Sequence, residues 1–172
     1  MNNNLFTLIQ KYGVSGPRYT SYPQAPVFSS AFGAGENKQA ITRNEATVKS
    51  NDISLYFHIP FCDTLCYFCG CTTVITRNLT YRDTYLKYLK KEINLLAPLL
   101  NAKRNVVQMH WGGGTPTYLS PAQIRELGAY IRNSFRIDAD AEISVEVDPR
   151  ELTYDHLRAL RDAGFNRISL GV

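Results

Sequence analysis

DISLYFHIPFCDTLCYFCGC, residues 52–71, carries two patterns that meet at Pro60. Up to Ile59 apolar and polar residues alternate, the period-2 signature of a strand with one buried face. Beyond Pro60 come Cys62, Cys66, Cys69 and Cys71, the only four cysteines of the 172-residue chain. A strand therefore delivers its chain directly into a loop crowded with thiols.

Downstream of the loop the period changes. YRDTYLKYLKKEINLLAPLL places Leu86, Leu89, Ile93, Leu96 and Leu100 at helical spacing. NVVQMHWGG, 105–113, reads as a second strand and SPAQIRELGAYIRNSF as a second helix, with Ser120 as N-cap, Pro121 at the first helical position and Gln123 completing a capping box. Then follow the strand AEISVEVDP, the helix LTYDHLRALRDAG with Thr153 as N-cap and Gly164 as its stop, and the strand NRISLGV. The order βαβαβαβ predicts parallel strands with helical crossovers.

Strand parity refines this expectation. One parity is apolar (Ile53, Leu55, Phe57 and Ile59; Ile143, Val145 and Val147; Ile168 and Leu170), the other polar (Ser54, Tyr56 and His58; Gln108 and His110; Ser144, Glu146 and Asp148; Arg167 and Ser169). Parallel strands buried on both faces read as continuous apolar runs. Alternation here predicts an α/β fold with a curved sheet or barrel, helices outside and a polar interior able to hold a ligand. Residues 1–50 read differently, as a mostly irregular arm before the βα units of 51–172. It has a short amphipathic helix carrying Leu5, Leu8, Ile9 and Tyr12, an extended proline and aromatic segment SGPRYTSYPQAPVF, and a polar, turn-rich stretch up to residue 52.

Composition bounds the function classes. A hydrophobic content of 44 % is enough for a normal core, and the beginning of the chain has no signal-peptide pattern. No apolar run approaches membrane-spanning length, so a cytoplasmic protein without membrane attachment is expected. Nineteen Lys and Arg against fifteen Asp and Glu give +4 without a basic block. That argues against nucleic acid and suits an anionic substrate.

Four thiols within ten residues cannot staple distant segments, so a metal is the better reading than disulfides. The spacing is C-x3-C-x2-C-x-C, and no second Cys or His pair follows at the distance of a zinc knuckle. Three thiolates so spaced can cap three corners of an iron–sulfur cube and leave the fourth iron without a protein ligand. Zinc or free thiols remain the alternatives at this point.

The loop resembles the C-x3-C-x2-C signature of the radical S-adenosylmethionine (SAM) superfamily, with Phe68 before the third cysteine and GGGTP at 112–116 after the second strand. With GPRYTSYP, YFHIPFC, the fourth cysteine, HWGGGTPTYL and EVDP, the chain further resembles the oxygen-independent coproporphyrinogen III oxidase family, from about Gly16 to Val172. The resemblance implies the N-terminal part of a partial (β/α) barrel of the radical SAM type and covers the first part of such an enzyme, so the chain is expected to be a fragment, inactive alone. It implies that Cys62, Cys66 and Cys69 hold one 4Fe–4S cluster, and that the amino and carboxylate groups of SAM chelate the open iron. The resulting 5'-deoxyadenosyl radical would take hydrogen from two propionates of coproporphyrinogen III, whose decarboxylation to vinyl groups gives protoporphyrinogen IX in haem biosynthesis.

The same resemblance assigns Gly113, Gly114 and Thr115 to the methionine part of SAM, Glu146 to its ribose, Tyr56 to a SAM contact and the Phe68 backbone to adenine. Cys71 is implied to act near the substrate without ligating the cluster. One or two SAM molecules per site, a flavodoxin- or ferredoxin-type electron donor and a monomeric complete enzyme are implied as well. Arg18, Tyr19 and Tyr22 can meet substrate carboxylates or merely pack, and His58 is a core or a functional residue. Two other functions stay open: a haem chaperone of the same superfamily, against which Cys71 and GPRYTSYP speak, and a zinc-stabilised binding module.

Overall fold

The structure is a computed structural model that describes residues 3–13, 27–67 and 69–171. Contacts divide the chain into two units, Met1–Asn37 and Lys38–Val172. In the first, helix α1 spans Asn3–Tyr12 as its apolar spacing predicts, with Leu8, Ile9 and Tyr12 exposed. The proline and aromatic segment, with Arg18, Tyr19 and Tyr22, lies outside the described residues.

The polar stretch expected to be turn-rich instead contains helix α2, Ala34–Thr47. No residue of α2 is buried, which is why no apolar period announces it. Its anchorage is polar. Glu45 accepts from Arg104 Nε at 2.9 Å and Nη2 at 2.6 Å and from the Asn101 amide at 2.9 Å, while Arg104 Nη1 donates to Ser50 O.

The second unit is built on four parallel strands in the order β1-β4-β5-β6: β1 Asp52–Ile59, β4 Asn105–Gly113, β5 Ile137–Val147 and β6 Arg167–Leu170. Between β1 and β4 the chain forms the two-residue strands β2 (Phe61–Cys62) and β3 (Val74–Ile75), paired in parallel, and helix α3, Thr80–Leu96. Helices α4, Pro121–Ser134, and α5, Tyr154–Asp162, make the remaining crossovers. The Ser120 capping box and the Thr153 cap are both present, and Gly164 takes a φ of 87° where α5 ends. Helix α3 stops at Leu96, before Leu100, because Pro98 follows and a 3-10 turn, Ala97–Leu99, replaces the last helical turn.

The apolar parity does face the helices. Phe57, Ile59, Met109, Trp111, Ile143, Val145 and Val147 form one buried cluster with Leu86, Leu89 and Ile93 of α3, Ile124, Leu127 and Ile131 of α4, and Leu160 of α5. Each such side chain contributes on the order of 1.5–3 kcal/mol of transfer free energy. An irregularity between Val106 and Gln108 lets Val106 and Met109 both face inward although their spacing breaks the alternation. Ile168 and Leu170 differ from expectation: among the described residues β6 pairs on one side only, and both remain exposed, at 44 % and 58 %.

Candidate functional site

The opposite sheet face is polar and hydrogen-bonded across strands. Ser54 Oγ donates to Gln108 Oε1 at 3.2 Å, and the Tyr56 ring stacks on His110 with centroids 5.8 Å apart. His110 then reaches two neighbours on β5, Ser144 Oγ at 2.7 Å through Nδ1 and Glu146 Oε1 at 3.3 Å through Nε2. Glu146 accepts from the Gly113 amide with its other oxygen at 3.3 Å. Parity marked the strand side chains as sharing a face, whereas only the structure shows that His110, itself bonded to Ser144, and the Gly113 amide hold the Glu146 carboxylate.

At the C-terminal ends of the strands the cysteine loop is held from several sides. Val74 N donates to Pro60 O at 2.7 Å and Thr76 N to Cys62 O at 3.0 Å, which closes the loop on itself. Beneath it Phe61 is buried against the rings of Tyr85 and Tyr118, both 5.5 Å away. The Tyr85 hydroxyl donates to His58 O, and the Tyr118 hydroxyl to Thr76 O at 2.9 Å. His58 joins the sheet to the loop: its Nε2 lies 2.8 Å from Thr72 O, which can only accept, so Nε2 carries hydrogen and, in the neutral ring, Nδ1 accepts from Tyr56 OH at 3.0 Å.

The turn GGGTP completes the latch. Gly114 N donates to Ile59 O and Thr115 N to Phe61 O, each at 2.8 Å. Gly113 has a φ of +114°, and a Cβ there would meet the His58 ring at 2.7 Å; a Cβ on Gly114 would meet the Phe61 and Pro60 carbonyl oxygens at 2.7 and 2.8 Å. The glycines are thus required by backbone conformation and close approach. The amides of the turn are engaged, and the Thr115 carbonyl accepts from Tyr118 N at 2.9 Å.

These parts surround a cavity of about 490 Å³ whose lining includes Cys62, Cys66, Cys69, Cys71, Thr115 and Glu146, together with Gly113, Gly114 and the segment Asp148–Arg150. Its size falls in the roughly 300–1,000 Å³ range of small-molecule sites. A groove of similar volume between α3 and α4 is walled by exposed side chains such as Lys87, Lys91 and Glu126 and is lined by no thiol, so the candidate site is placed in the first. Tyr56 is not part of the cavity lining: it stands below it on the wet face, its hydroxyl taken by His58. Phe68 lies outside the described residues.

The thiols occupy distinct surroundings. Burial pushes the Cys62 thiol above its ordinary value, an effect opposed by the Thr115 hydroxyl at 3.4 Å. Burial also raises the more exposed Cys71, assisted by the nearby Cys69 and Glu146. Cys69 N donates to Cys66 O at 3.1 Å, tightening the turn between the second and third thiols. Two residues that spacing had not marked join them: Arg150 donates to Cys66 Sγ at 3.4 Å, and Asp148 accepts from Arg150 in a fork that holds the Asp148 carboxyl below its usual value. The signal available for Asp148 was its polar parity at the end of β5; nothing marked Arg150.

Among the described residues no three His, Cys, Asp or Glu side chains converge on one point as ligands of a single ion. The four thiols do line the same cavity. No helix of the described residues is long and apolar enough to cross a membrane.

The family model of the radical SAM superfamily matches residues 56–172. An oxygen-independent coproporphyrinogen III oxidase from Escherichia coli strain K12 is 55 % identical over 96 % of this chain and 35 % of its own length. One of the same name from Mannheimia haemolytica is 49 % identical over 83 % of this chain and 94 % of its own. The solved structure of coproporphyrinogen III oxidase (HemN) from Escherichia coli, described as a radical SAM enzyme, matches with a TM-score of 0.80 and 50 % identity, over 96 % of this chain and 36 % of that one. The chain thus spans about a third of the length of most of these relatives.

Proposed function

As the chain belongs to the radical SAM superfamily and, within it, to the oxygen-independent coproporphyrinogen III oxidases, we propose that it carries the cofactor-binding part of an enzyme converting two propionates of coproporphyrinogen III to vinyl groups. The observation that carries this reading is the single cavity that brings three signature thiols, a fourth thiol, GGGTP and Glu146 together at the C-terminal end of a parallel sheet. Ligand sites of open and barrel α/β folds lie at that end.

The residues present fit the implied group: Cys62, Cys66 and Cys69 are soft donors on one loop around one cavity, and would hold a 4Fe–4S cluster. When bound, the cluster and SAM supply a 5'-deoxyadenosyl radical able to take hydrogen from a propionate side chain. This chain's own residues do the positioning. The Gly113–Thr115 turn, its amides spent on Glu146, Ile59 and Phe61, offers carbonyl acceptors suited to the ammonium of the methionine part. Glu146, oriented by His110 and the Gly113 amide, is placed to accept both hydroxyls of a ribose. Tyr56 supports that end of the cavity through His110, and Phe68 is assigned to adenine from the sequence pattern alone.

Cys71 lines the same cavity and is the most exposed of the four thiols, which suits a group that meets the substrate and favours an oxidase over a haem chaperone. A flavodoxin- or ferredoxin-type donor, one or two SAM per site and a cytoplasmic setting that keeps thiols reduced complete the proposal. Anaerobic reconstitution with iron and sulfide analysis, followed by SAM binding, tests it. About four irons and four acid-labile sulfides per chain are expected; stoichiometric zinc without labile sulfide would overturn the reading.

A further inference from the structure

We propose that Arg150 is a positioning residue for the cysteine loop, whose guanidinium donates to Cys66 Sγ and thereby raises the reduction potential of the cluster that loop holds. The inference rests on the functional reading above, in which Cys66 is a cluster ligand. Arg150 follows β5 by three residues, so the cation is delivered by the sheet and not by the thiol loop itself. It is the one Lys or Arg lining the cavity among the described residues.

Its orientation is fixed by Asp148. Arg150 Nε lies 2.9 and 3.1 Å from the two Asp148 oxygens, Nη2 bonds the second of them, and the Arg150 amide donates to Asp148 Oδ1 at 3.0 Å. A planar guanidinium clamped in such a fork has little freedom left. Nη2 carries two N–H groups; one serves Asp148 and the other points at Cys66 Sγ, 3.4 Å away.

A donor directed at a ligating sulfur draws electron density from the metal, and hydrogen bonds to cluster sulfurs are among the determinants of its potential. The effect stabilises the more negative, reduced state. Asp148 cancels most of the guanidinium's long-range field, which leaves the short N–H to sulfur contact as the tuning element. The Arg150 side chain is 57 % exposed, so its replacement removes little packing.

The experiment compares the unaltered chain with Arg150→Gln and Arg150→Lys after anaerobic reconstitution. Iron and sulfide are counted first, and a redox titration is then followed by the electron paramagnetic resonance of the reduced cluster, without SAM. Equal cluster content is expected in all three. In Arg150→Gln the reduced-to-oxidised ratio at fixed poise should fall about tenfold, which corresponds to 59 mV for one electron. Arg150→Lys, which keeps the charge but not the fork, should fall less. An unchanged midpoint in Arg150→Gln overturns the proposal. So does loss of the cluster in Arg150→Gln with its retention in Arg150→Lys, since the residue would then be scaffold. Failure of the unaltered chain to take up a four-iron cluster defeats the functional reading itself, and this inference with it.

Discussion

Glu146 and Cys71 line the same cavity, yet their neighbours give them different work. Glu146 is oriented by His110 and by the Gly113 amide, so Glu146→Ala is expected to weaken SAM binding by about 1–3 kcal/mol, the size of a lost hydrogen bond to a charged group. Isothermal titration in the reconstituted chain measures this; unchanged affinity with a large loss of thermal stability would make Glu146 a structural acid. Cys71 is the exposed thiol of the four, and Cys71→Ser should leave iron, sulfide and SAM affinity unaltered, whereas Cys66→Ser should abolish cluster assembly. Matching cluster loss in the two variants would mean that the four sulfurs have been divided wrongly. Alternation along a strand made Glu146 and Tyr56 legible in the sequence, because parity alone decides which face they join. Arg150 was not legible: it follows the strand end, and its contact with Cys66 depends on how two chain segments 84 residues apart meet.

The elements with a periodic apolar face, α3, α4 and α5, were readable because each buries a stripe against the sheet, and Ser120, Gln123 and Thr153 fixed where two of them begin. Helix α2 was not readable, since its anchor is one ion pair to a residue far along the chain. That anchor has a pH signature. Arg104 holds the Glu45 carboxyl below its ordinary value of 4.5, so the pair's contribution is fully present above 4.5 and is lost as pH falls through the lower folded value. Glu45→Gln should therefore lower the melting temperature at neutral pH and shrink the further drop on acidification below 4.5. An acid limb as steep as that of the unaltered chain would show that Glu45 has no part in it. The β4 exit gives a second prediction: Gly113→Ala, forced to a φ of +114° against the His58 ring, should cost about 1–3 kcal/mol in chemical denaturation, and more if the loop detaches.

Across the whole molecule, one sheet face is sealed by helices while the other is organised by side-chain hydrogen bonds that lead upward to the thiol loop. The βα order and the wet parity specified this division in the sequence, but β6 departed from it, because burial of Ile168 and Leu170 requires neighbours that the described residues do not supply. An exposed, singly paired strand with apolar residues invites edge association. Light scattering should detect concentration-dependent oligomers that Ile168→Lys reduces; a strictly monomeric chain at high concentration would contradict this. The latch between GGGTP and the cysteine loop has a further consequence, one of timing. Cys62 and its partner Thr115 are 53 residues apart, and synthesis at about 5–20 residues per second separates their emergence from the ribosome by roughly 3–10 s. The thiols are therefore born before the turn that shapes their cradle, and for those seconds they meet the cell as a bare, flexible chelator. In that interval the thiols are open to any metal ion the chain meets, before the GGGTP turn is there to dock against them.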